Sequence, residues 1–244
     1  NVKKYAYQLL SAVAYYHSRD IIHRDLKPQN MLIDEKTDQL KVTDFGSGIW
    51  VNTDQPGDYQ NLICTLWYRP VEVFLGKNVR YNKSFDIWSV GCIIAELVAK
   101  RPIFGGTEID QLLNILQYSY LPGIVNPKIF MKHHPVFSRD ALKKMCETKS
   151  QVWTDQPDEF ATFIDLIGQL LAIDPEYRLT ASEALEHPFF TDSPLKSILD
   201  DFGLYKTTNV NFHAGDVREH SLWTSYYILW MMEHKHKYAE NVRG

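Results

Sequence analysis

Two short sequence motifs contain the residue types that phosphoryl transfer requires. That reaction needs a carboxylate to orient the attacking hydroxyl and accept its proton, together with hard oxygen ligands for magnesium. Asp25 is the candidate base, and Asn30 and Asp44 are the candidate metal ligands. The two motifs are His23-Arg24-Asp25-Leu26-Lys27-Pro28-Gln29-Asn30 and Asp44-Phe45-Gly46.

A β-hairpin is predicted between the two motifs. The runs at 31–33 and 40–43 have the composition of strands, and the polar residues 34–39 between them are typical of a turn. Asn30 would lie at one end of this hairpin and Asp44 at the other. Because a hairpin folds the chain back on itself, both side chains are expected to face the same site as Asp25.

Apolar residues recur at intervals of three or four positions in several segments, which is typical of helices with one buried face. The segment 85–98 is apolar on nearly every side, so we expect it to be buried all round. Asp86 stands near its start, where a carboxylate stabilises a helix N-terminus. The predicted helices are 1–17, 85–98, 109–118, 159–172 and 181–186, with a long loop at 46–65 and a separating stretch with Pro and Lys at 121–157.

Composition excludes several classes of function. The net charge is −4, with 26 basic and 30 acidic residues, so no broad field attracts nucleic acid or anionic lipid. No run reaches the length of about 18 apolar residues that a membrane span requires. The three cysteines are widely spaced and form no CxxC pair, which argues against a zinc site and favours a reducing compartment, cytoplasmic or nuclear.

Further motifs follow the first two in a fixed order. With them, most of residues 5–190 resembles the protein kinases, and in particular the cyclin-dependent kinases and other proline-directed Ser/Thr kinases. The resemblance implies a mainly α C-terminal lobe of the α+β kinase fold, with a short β-hairpin carrying the catalytic loop and the Asp-Phe-Gly motif. The additional motifs are Thr65-Leu66-Trp67-Tyr68-Arg69, Phe85-Asp86-Ile87-Trp88-Ser89-Val90-Gly91-Cys92, Arg101-Pro102-Ile103-Phe104, Glu108-Ile109-Asp110-Gln111-Leu112, Asp174-Pro175 with Arg178, and His187-Pro188-Phe189-Phe190.

The resemblance implies ATP and Mg2+ as cofactors and assigns roles to matching residues. Lys27 would reach the transferring phosphate, and Thr65 would hydrogen-bond both Asp25 and Lys27. Asp86 would brace the backbone of the catalytic loop. Without the family context, Thr65 would be an ordinary loop hydroxyl and Asp86 a helix cap. Supporting positions in the two motifs are His23, Arg24, Phe45 and Gly46.

The resemblance also implies protein substrates with Ser-Pro or Thr-Pro sites. An arginine matching Arg69 occupies a backbone carbonyl in such kinases, so that a substrate proline, which lacks an N–H, is accepted. Glu72 would pair with Arg178 in a structural role. Pro70 stands one residue earlier than the family's proline, which restricts the backbone at Arg69 and calls its placement into question.

The usual regulatory phosphothreonine is expected to be absent. Its position is Gln60, and Ile49 stands where an arginine normally helps to hold the phosphate. Arg24 is what remains of that arginine cluster. Thr53 and Tyr59 are alternative acceptors, although an exposed loop hydroxyl is more often simply solvated.

We divide the chain into a kinase C-terminal lobe at 1–190 and an extension at 191–244. No Gly-rich loop or nucleotide-positioning lysine precedes the first motif, so the N-terminal lobe is expected to be missing and the chain alone to be nearly inert. A cyclin is a possible partner by resemblance. The alternative function is a catalytically inactive scaffold or binding module.

The extension contains an aromatic segment at 221–232 that is too short to span a bilayer. It is expected to form a helix docked on the same domain, or else an interface or the start of another domain. Residues 228–238 resemble the opening helix of a cyclin box. The alternating His and Lys at 234–237 are read as a solvated face rather than a metal site.

Overall fold

The structure is a computed structural model that describes residues 2–51, 64–75, 81–118, 137–146 and 157–191. These residues are mostly helical. The α-helices are α1 (Val2–His17), α2 (Val71–Leu75), α3 (Lys83–Ala99), α4 (Glu108–Tyr118), α5 (Arg139–Cys146), α6 (Pro157–Leu170), α7 (Ala181–Leu185) and α8 (Pro188–Thr191). The strands are β1 (Ile21–Ile22), β2 (Met31–Asp34), β3 (Gln39–Val42) and β4 (Ile49–Trp50). The aromatic segment and the alternating His and Lys residues of the extension lie outside the described residues.

The core is built around α1 and α3, which pack against each other. On α1 the predicted apolar stripe is buried, with Leu9, Leu10 and Val13 fully enclosed. α3 is buried on nearly every side, as its sequence predicts. Gly91 allows close contact with the end of α6, because a Cβ there would lie 2.8 Å from Leu171 Cδ2. The two central helices therefore form a packed, buried base for the segments between them.

The N-terminus of α3 is capped by Asn82, whose side chain accepts a hydrogen bond from the Ser84 backbone N–H at 3.0 Å. Asp86 lies in the first helical turn, but its carboxylate is buried and points to the loop before β2. The reading of Asp86 as a helix cap is therefore wrong, because a neighbouring residue performs that task and leaves the Asp86 carboxylate available for the loop.

The hairpin predicted between the two motifs is present as β2 and β3, which pair antiparallel with Met31 opposite Val42. The Thr43 N–H continues the pairing by donating to the Asn30 carbonyl oxygen at 2.9 Å. The turn is fixed to α1, because Lys4 Nζ lies 2.7 Å from Asp38 Oδ2. The strand ends that carry Asn30 and Asp44 are thus held side by side.

The segment after Gly46 does not begin as a loop. Ile49 and Trp50 form β4, which pairs antiparallel with β1 so that Ile22 lies opposite Ile49. Both isoleucines are buried, and this burial gives the pairing its stability. The predicted long loop is therefore wrong at its start, while residues 52–63 are outside the described part.

Helix α5 corrects the prediction that 121–157 is only a separating stretch. Leu142, Met145 and Cys146 are buried on one face of this helix. The spacing of these three residues is that of one helical face, a pattern that the sequence prediction missed. None of the helices in the described ranges is long and apolar enough to cross a membrane. The three cysteines are free and buried.

Candidate active site

The loop that follows β1 is held by one buried carboxylate. Asp86 Oδ2 accepts hydrogen bonds from the His23 backbone N–H at 2.8 Å and from His17 Nε2 at 3.0 Å. Asp86 Oδ1 accepts from the Arg24 backbone N–H at 2.9 Å. Burial opposes ionisation of this carboxylate, but the His17 ring and the loop N–H group outweigh burial and lower its pKa. An ionised Asp86 therefore fixes the backbone at the start of the loop.

His23 connects this loop to the end of β3. Its ring Nδ1 accepts from the Asp25 backbone N–H at 3.2 Å, and its Nε2 lies 2.8 Å from the Thr43 carbonyl oxygen. These partners favour the neutral tautomer with the proton on Nε2, which donates to the carbonyl. The ring also packs on Phe45, with centroids 4.6 Å apart. His23 therefore sets the relative position of Asp25 and the Asp44-Phe45-Gly46 motif.

Lys27 and Thr65 converge on Asp25. Lys27 Nζ donates to Asp25 Oδ2 at 2.6 Å, and the Thr65 hydroxyl donates to Asp25 Oδ1 at 2.7 Å. Lys27 Nζ also donates to Thr65 Oγ1 at 3.1 Å. Burial would raise the pKa of Asp25, but the hydrogen bonds from Lys27 and Thr65 outweigh burial and lower it. The carboxylate is therefore ionised at neutral pH and can accept a proton.

Asn30 and Asp44 present oxygen atoms suited to a hard cation. Asn30 Nδ2 donates to the Asp25 carbonyl oxygen at 2.8 Å, so the amide oxygen points the other way. Asp44 adopts a left-handed backbone, with φ of 60°, and its side chain is exposed. Amide and carboxylate oxygens are ligands that Mg2+ accepts, so these residues fit a magnesium site. Their roles as ligands stay a prediction.

Arg69 reaches a backbone carbonyl despite the early proline. Its Nη2 donates to the Cys64 carbonyl oxygen at 3.0 Å, and its Nη1 lies 3.4 Å from Glu108 Oε1. The segment that carries Arg69 is anchored on α3, because Ser89 Oγ donates to the Tyr68 carbonyl oxygen at 2.7 Å. The extended backbone of Arg69, with φ of −75°, is compatible with a following proline.

Glu72 and Arg178 form a bidentate ion pair. Arg178 Nη1 donates to Glu72 Oε1 at 2.8 Å, and Nη2 donates to Oε2 at 2.7 Å. The Arg178 side chain is fully buried and donates further hydrogen bonds to the carbonyl oxygens of Ser84, Ala172 and Ile173. This pair joins α2, which follows Arg69 in the chain, to the residues after α6.

Arg24 does not lie free for a phosphate. Its Nε donates to the Ser47 carbonyl oxygen at 2.6 Å, and its guanidinium lies 5.2 Å from the centre of the Tyr81 ring. Ile49, at the position where the resemblance leads us to expect an arginine, is buried in the β1–β4 pair. The other segment positions singled out in the sequence, Thr53, Tyr59 and Gln60, lie outside the described residues.

Several residues of the site were not found by sequence reasoning. His17 supports Asp86, Tyr16 packs against Phe45, and Glu108 contacts Arg69. For His17 a signal existed, because a polar residue on the buried stripe of α1 requires a partner. The other two contacts join distant parts of the chain and left no local pattern.

Comparison with known proteins shows which family the chain belongs to. The family model described as "Protein kinase domain" matches residues 1–190. Cyclin-dependent kinase 1 of Encephalitozoon cuniculi (strain GB-M1) is 40% identical over 205 residues, which cover 80% of this chain and 63% of that protein. The chain thus spans less than two thirds of the length of this curated relative. On the family match and on this identity, the chain belongs to the protein kinase family.

Proposed function

We propose that this chain provides the catalytic centre of a Ser/Thr protein kinase of the cyclin-dependent type, which transfers the γ-phosphate of ATP to a protein hydroxyl. The observation that carries the proposal is the convergence of Lys27 and Thr65 on the ionised Asp25 carboxylate. A carboxylate held in this way can orient a hydroxyl and accept its proton as the phosphoryl group is transferred.

The other groups of the site divide the remaining tasks. Lys27, which bridges Asp25 and Thr65, would also contact the transferring phosphate. Asn30 and Asp44 would hold Mg2+, which when bound neutralises charge on the phosphate oxygens. Asp86 and His23 keep the Asp25 backbone in place.

We further propose that the substrate residue after the target Ser or Thr is proline. Arg69 occupies the Cys64 carbonyl oxygen, which is therefore less available to an N–H of the substrate. A residue with an N–H would leave that donor unpaired on binding, at a cost of about 1–3 kcal/mol. Proline has no such donor and avoids the cost. Substrates with Ser-Pro or Thr-Pro sites are the expected partners.

A cyclin partner and a separate nucleotide-binding lobe are parts of the same proposal. Their support is the resemblance to cyclin-dependent kinases and the identity with a relative of that name. Because the chain spans 63% of that relative, the experiments below use the complete natural protein. Copurification of the protein with a cyclin that raises its kinase activity would support the cyclin partner. Kinase activity unaffected by any cyclin would argue against this partner.

The test is Asp25→Asn in the complete protein. Removing the base should lower kcat on a Ser-Pro peptide by roughly 10²-fold or more in a protein that remains folded. The control is Asp158→Asn, which changes an exposed carboxylate on α6 and should leave kcat unchanged. Near-normal turnover of Asp25→Asn would overturn the assignment of the base. A natural protein that binds Mg2+ and ATP without phosphorylating any peptide would favour the scaffold function instead.

A further inference from the structure

The first turn of α4 contacts the segment that carries Arg69. Arg69 Nη1 lies 3.4 Å from Glu108 Oε1, with 13% of the Arg69 side chain and 61% of the Glu108 side chain exposed. The Arg69 guanidinium also lies 5.6 Å from the centre of the Phe74 ring. Arg69 is thus positioned by Cys64, Glu108 and Phe74. Of these contacts, Glu108 provides the one with opposite charge.

Hydrogen bonds fix the backbone next to Glu108, which limits the positions that the Glu108 carboxylate can take. Thr107 and Asp110 cap the helix reciprocally, because the Thr107 N–H donates to Asp110 Oδ2 at 2.8 Å and the Asp110 N–H donates to Thr107 Oγ1 at 3.3 Å. Gly106 has a left-handed φ of 85°, and a Cβ there would lie 2.8 Å from the Asp110 side chain. The turn before Glu108 therefore has little freedom to shift.

A second contact joins the same two segments. Trp67 Nε1 donates to the Gly106 carbonyl oxygen at 3.2 Å. Trp67 and Arg69 both flank Tyr68, which is anchored on α3 through its backbone carbonyl. The distance between the Arg69 segment and the start of α4 is therefore set by two independent side-chain contacts.

We propose that Glu108 is a specificity-determining positioning residue that holds Arg69 on the Cys64 carbonyl oxygen and so sustains the preference for proline after the target residue. This inference rests on the proposed function. An arginine side chain has several rotatable bonds, and one hydrogen bond at Nη2 does not fix its plane. Once the Arg69 guanidinium turns away, the Cys64 carbonyl oxygen can accept the N–H of a residue other than proline.

The expected effect is moderate because Glu108 is largely exposed. Exposed ion pairs change an equilibrium by about fivefold at most, since water and salt screen them. Glu108→Gln should therefore lower the selectivity for proline by about twofold to fivefold. Glu108→Lys repels Arg69 instead of releasing it, so the loss should be larger, roughly tenfold.

The experiment compares two peptides that differ only in Ser-Pro against Ser-Ala, assayed with the complete protein. The measured quantity is the ratio of their kcat/KM values. The control variant is Glu176→Gln, which changes an exposed carboxylate in the turn before Arg178. We expect the ratio to fall in Glu108→Gln, to fall further in Glu108→Lys and to stay unchanged in Glu176→Gln.

A double-mutant cycle with Arg69→Gln shows whether Glu108 acts through Arg69. In the Arg69→Gln background, Glu108→Gln should have no further effect on the ratio. An unchanged ratio in both Glu108 variants, or an equal loss on both peptides, would overturn the inference while leaving the kinase function in place. A natural protein that phosphorylates neither peptide would overturn the proposed function, and the inference with it.

Discussion

The Thr65 hydroxyl lies 2.7 Å from Asp25 Oδ1, and the Thr65 backbone N–H donates to the same oxygen at 2.9 Å. Two donors from one residue thus fix the carboxylate that the proposed mechanism uses as its base. Thr65 begins the segment that ends at Arg69, so the base and the substrate contacts are set by the same short stretch of chain. Displacement of that stretch would disturb both at once.

Thr65→Ala removes the hydroxyl and keeps the backbone donor. A hydrogen bond to a charged group contributes about 1.5–3 kcal/mol, so kcat should fall roughly tenfold to a hundredfold. Thr65→Ser retains the hydroxyl and should remain within a few-fold of the natural enzyme. Steady-state kinetics on a Ser-Pro peptide measure both variants. Equal activity in the Ala and Ser variants would show that the hydroxyl does not support Asp25.

The pH dependence of stability follows from the lowered pKa of Asp25. Because the folded-state pKa lies below the unfolded value of about 3.9, ionised Asp25 contributes stability above that value. This contribution is lost as the pH falls through the folded-state pKa. The carboxyl 13C shift of Asp25, followed by NMR, should titrate below the pH at which a solvated aspartate titrates.

Lys27→Met should move the Asp25 titration to higher pH, because it removes the Lys27 hydrogen bond, which lowers the Asp25 pKa more than any other contact does. Burial, which opposes ionisation, would then act with less compensation. The matched change Lys36→Met, in the exposed turn between β2 and β3, should leave the titration unchanged. An Asp25 titration insensitive to Lys27 would show that the close pair is absent in solution.

Asp86→Asn should destabilise the fold. The Asp86 carboxylate accepts hydrogen bonds from His17, His23 and Arg24 in a site without exposure to water. An amide presents an NH2 group where a second acceptor is needed, which leaves buried donors unpaired at about 1–3 kcal/mol each. Urea denaturation should show a loss of about 3 kcal/mol or more. The exposed control Asp158→Asn removes a charge from the first turn of α6 and should change the free energy of unfolding by less than about 1 kcal/mol.

The elements that sequence reasoning predicted are those with a local pattern. α1 and α3 carry long apolar periodicity, and their predicted positions agree with the structure within a few residues. The hairpin of β2 and β3 is marked by two strand-like runs and a polar turn. The Asp25, Lys27 and Asn30 cluster could be predicted because family motifs preserve the spacing of these residues within one loop.

The parts that were missed depend on contacts between distant residues. β1 and β4 have two residues each, so no alternation is visible, and their pairing brings together residues 21–22 and 49–50. The support of Asp86 by His17 spans 69 positions. Asn82 is of a residue type that often caps helices, but the sequence analysis did not identify it as the cap of α3, which leaves the Asp86 carboxylate available for the loop.

Tyr16 packs against the aromatic residue of the Asp44-Phe45-Gly46 motif. Its ring meets Phe45 edge to face at 5.3 Å, and it also contacts the His23 ring at 6.5 Å. The Tyr16 hydroxyl is buried and makes no well-formed hydrogen bond within the described part of the chain, although the Asp86 carboxylate is close enough to act on it. Burial, together with the nearby Asp86 charge, raises its pKa, so the phenol stays neutral.

Tyr16→Phe should therefore stabilise the protein. The variant removes a buried hydroxyl that has only a poorly aligned contact with Asp86, so the gain should be up to about 1 kcal/mol, and it keeps the ring contacts. Tyr16→Leu should do the opposite, because it loses the edge-to-face contact that restrains Phe45. The matched control is Tyr7→Leu in the N-terminal half of α1, which removes a similar contact with Phe190, 5.5 Å between centroids.

Urea denaturation and Mn2+ binding followed by EPR separate the effects of these Tyr16 variants. Tyr16→Leu and Tyr7→Leu should both lower the free energy of unfolding, by roughly 1–3 kcal/mol. Tyr16→Leu, unlike Tyr7→Leu, should also weaken Mn2+ binding in the presence of ADP. The reason is that Phe45, which loses its contact with Tyr16, is next to the candidate metal ligand Asp44 in the sequence. A lower stability for Tyr16→Phe would show that the hydroxyl has a partner in solution. Equal Mn2+ affinity in both leucine variants would show that Tyr16 supports the core without positioning the metal site.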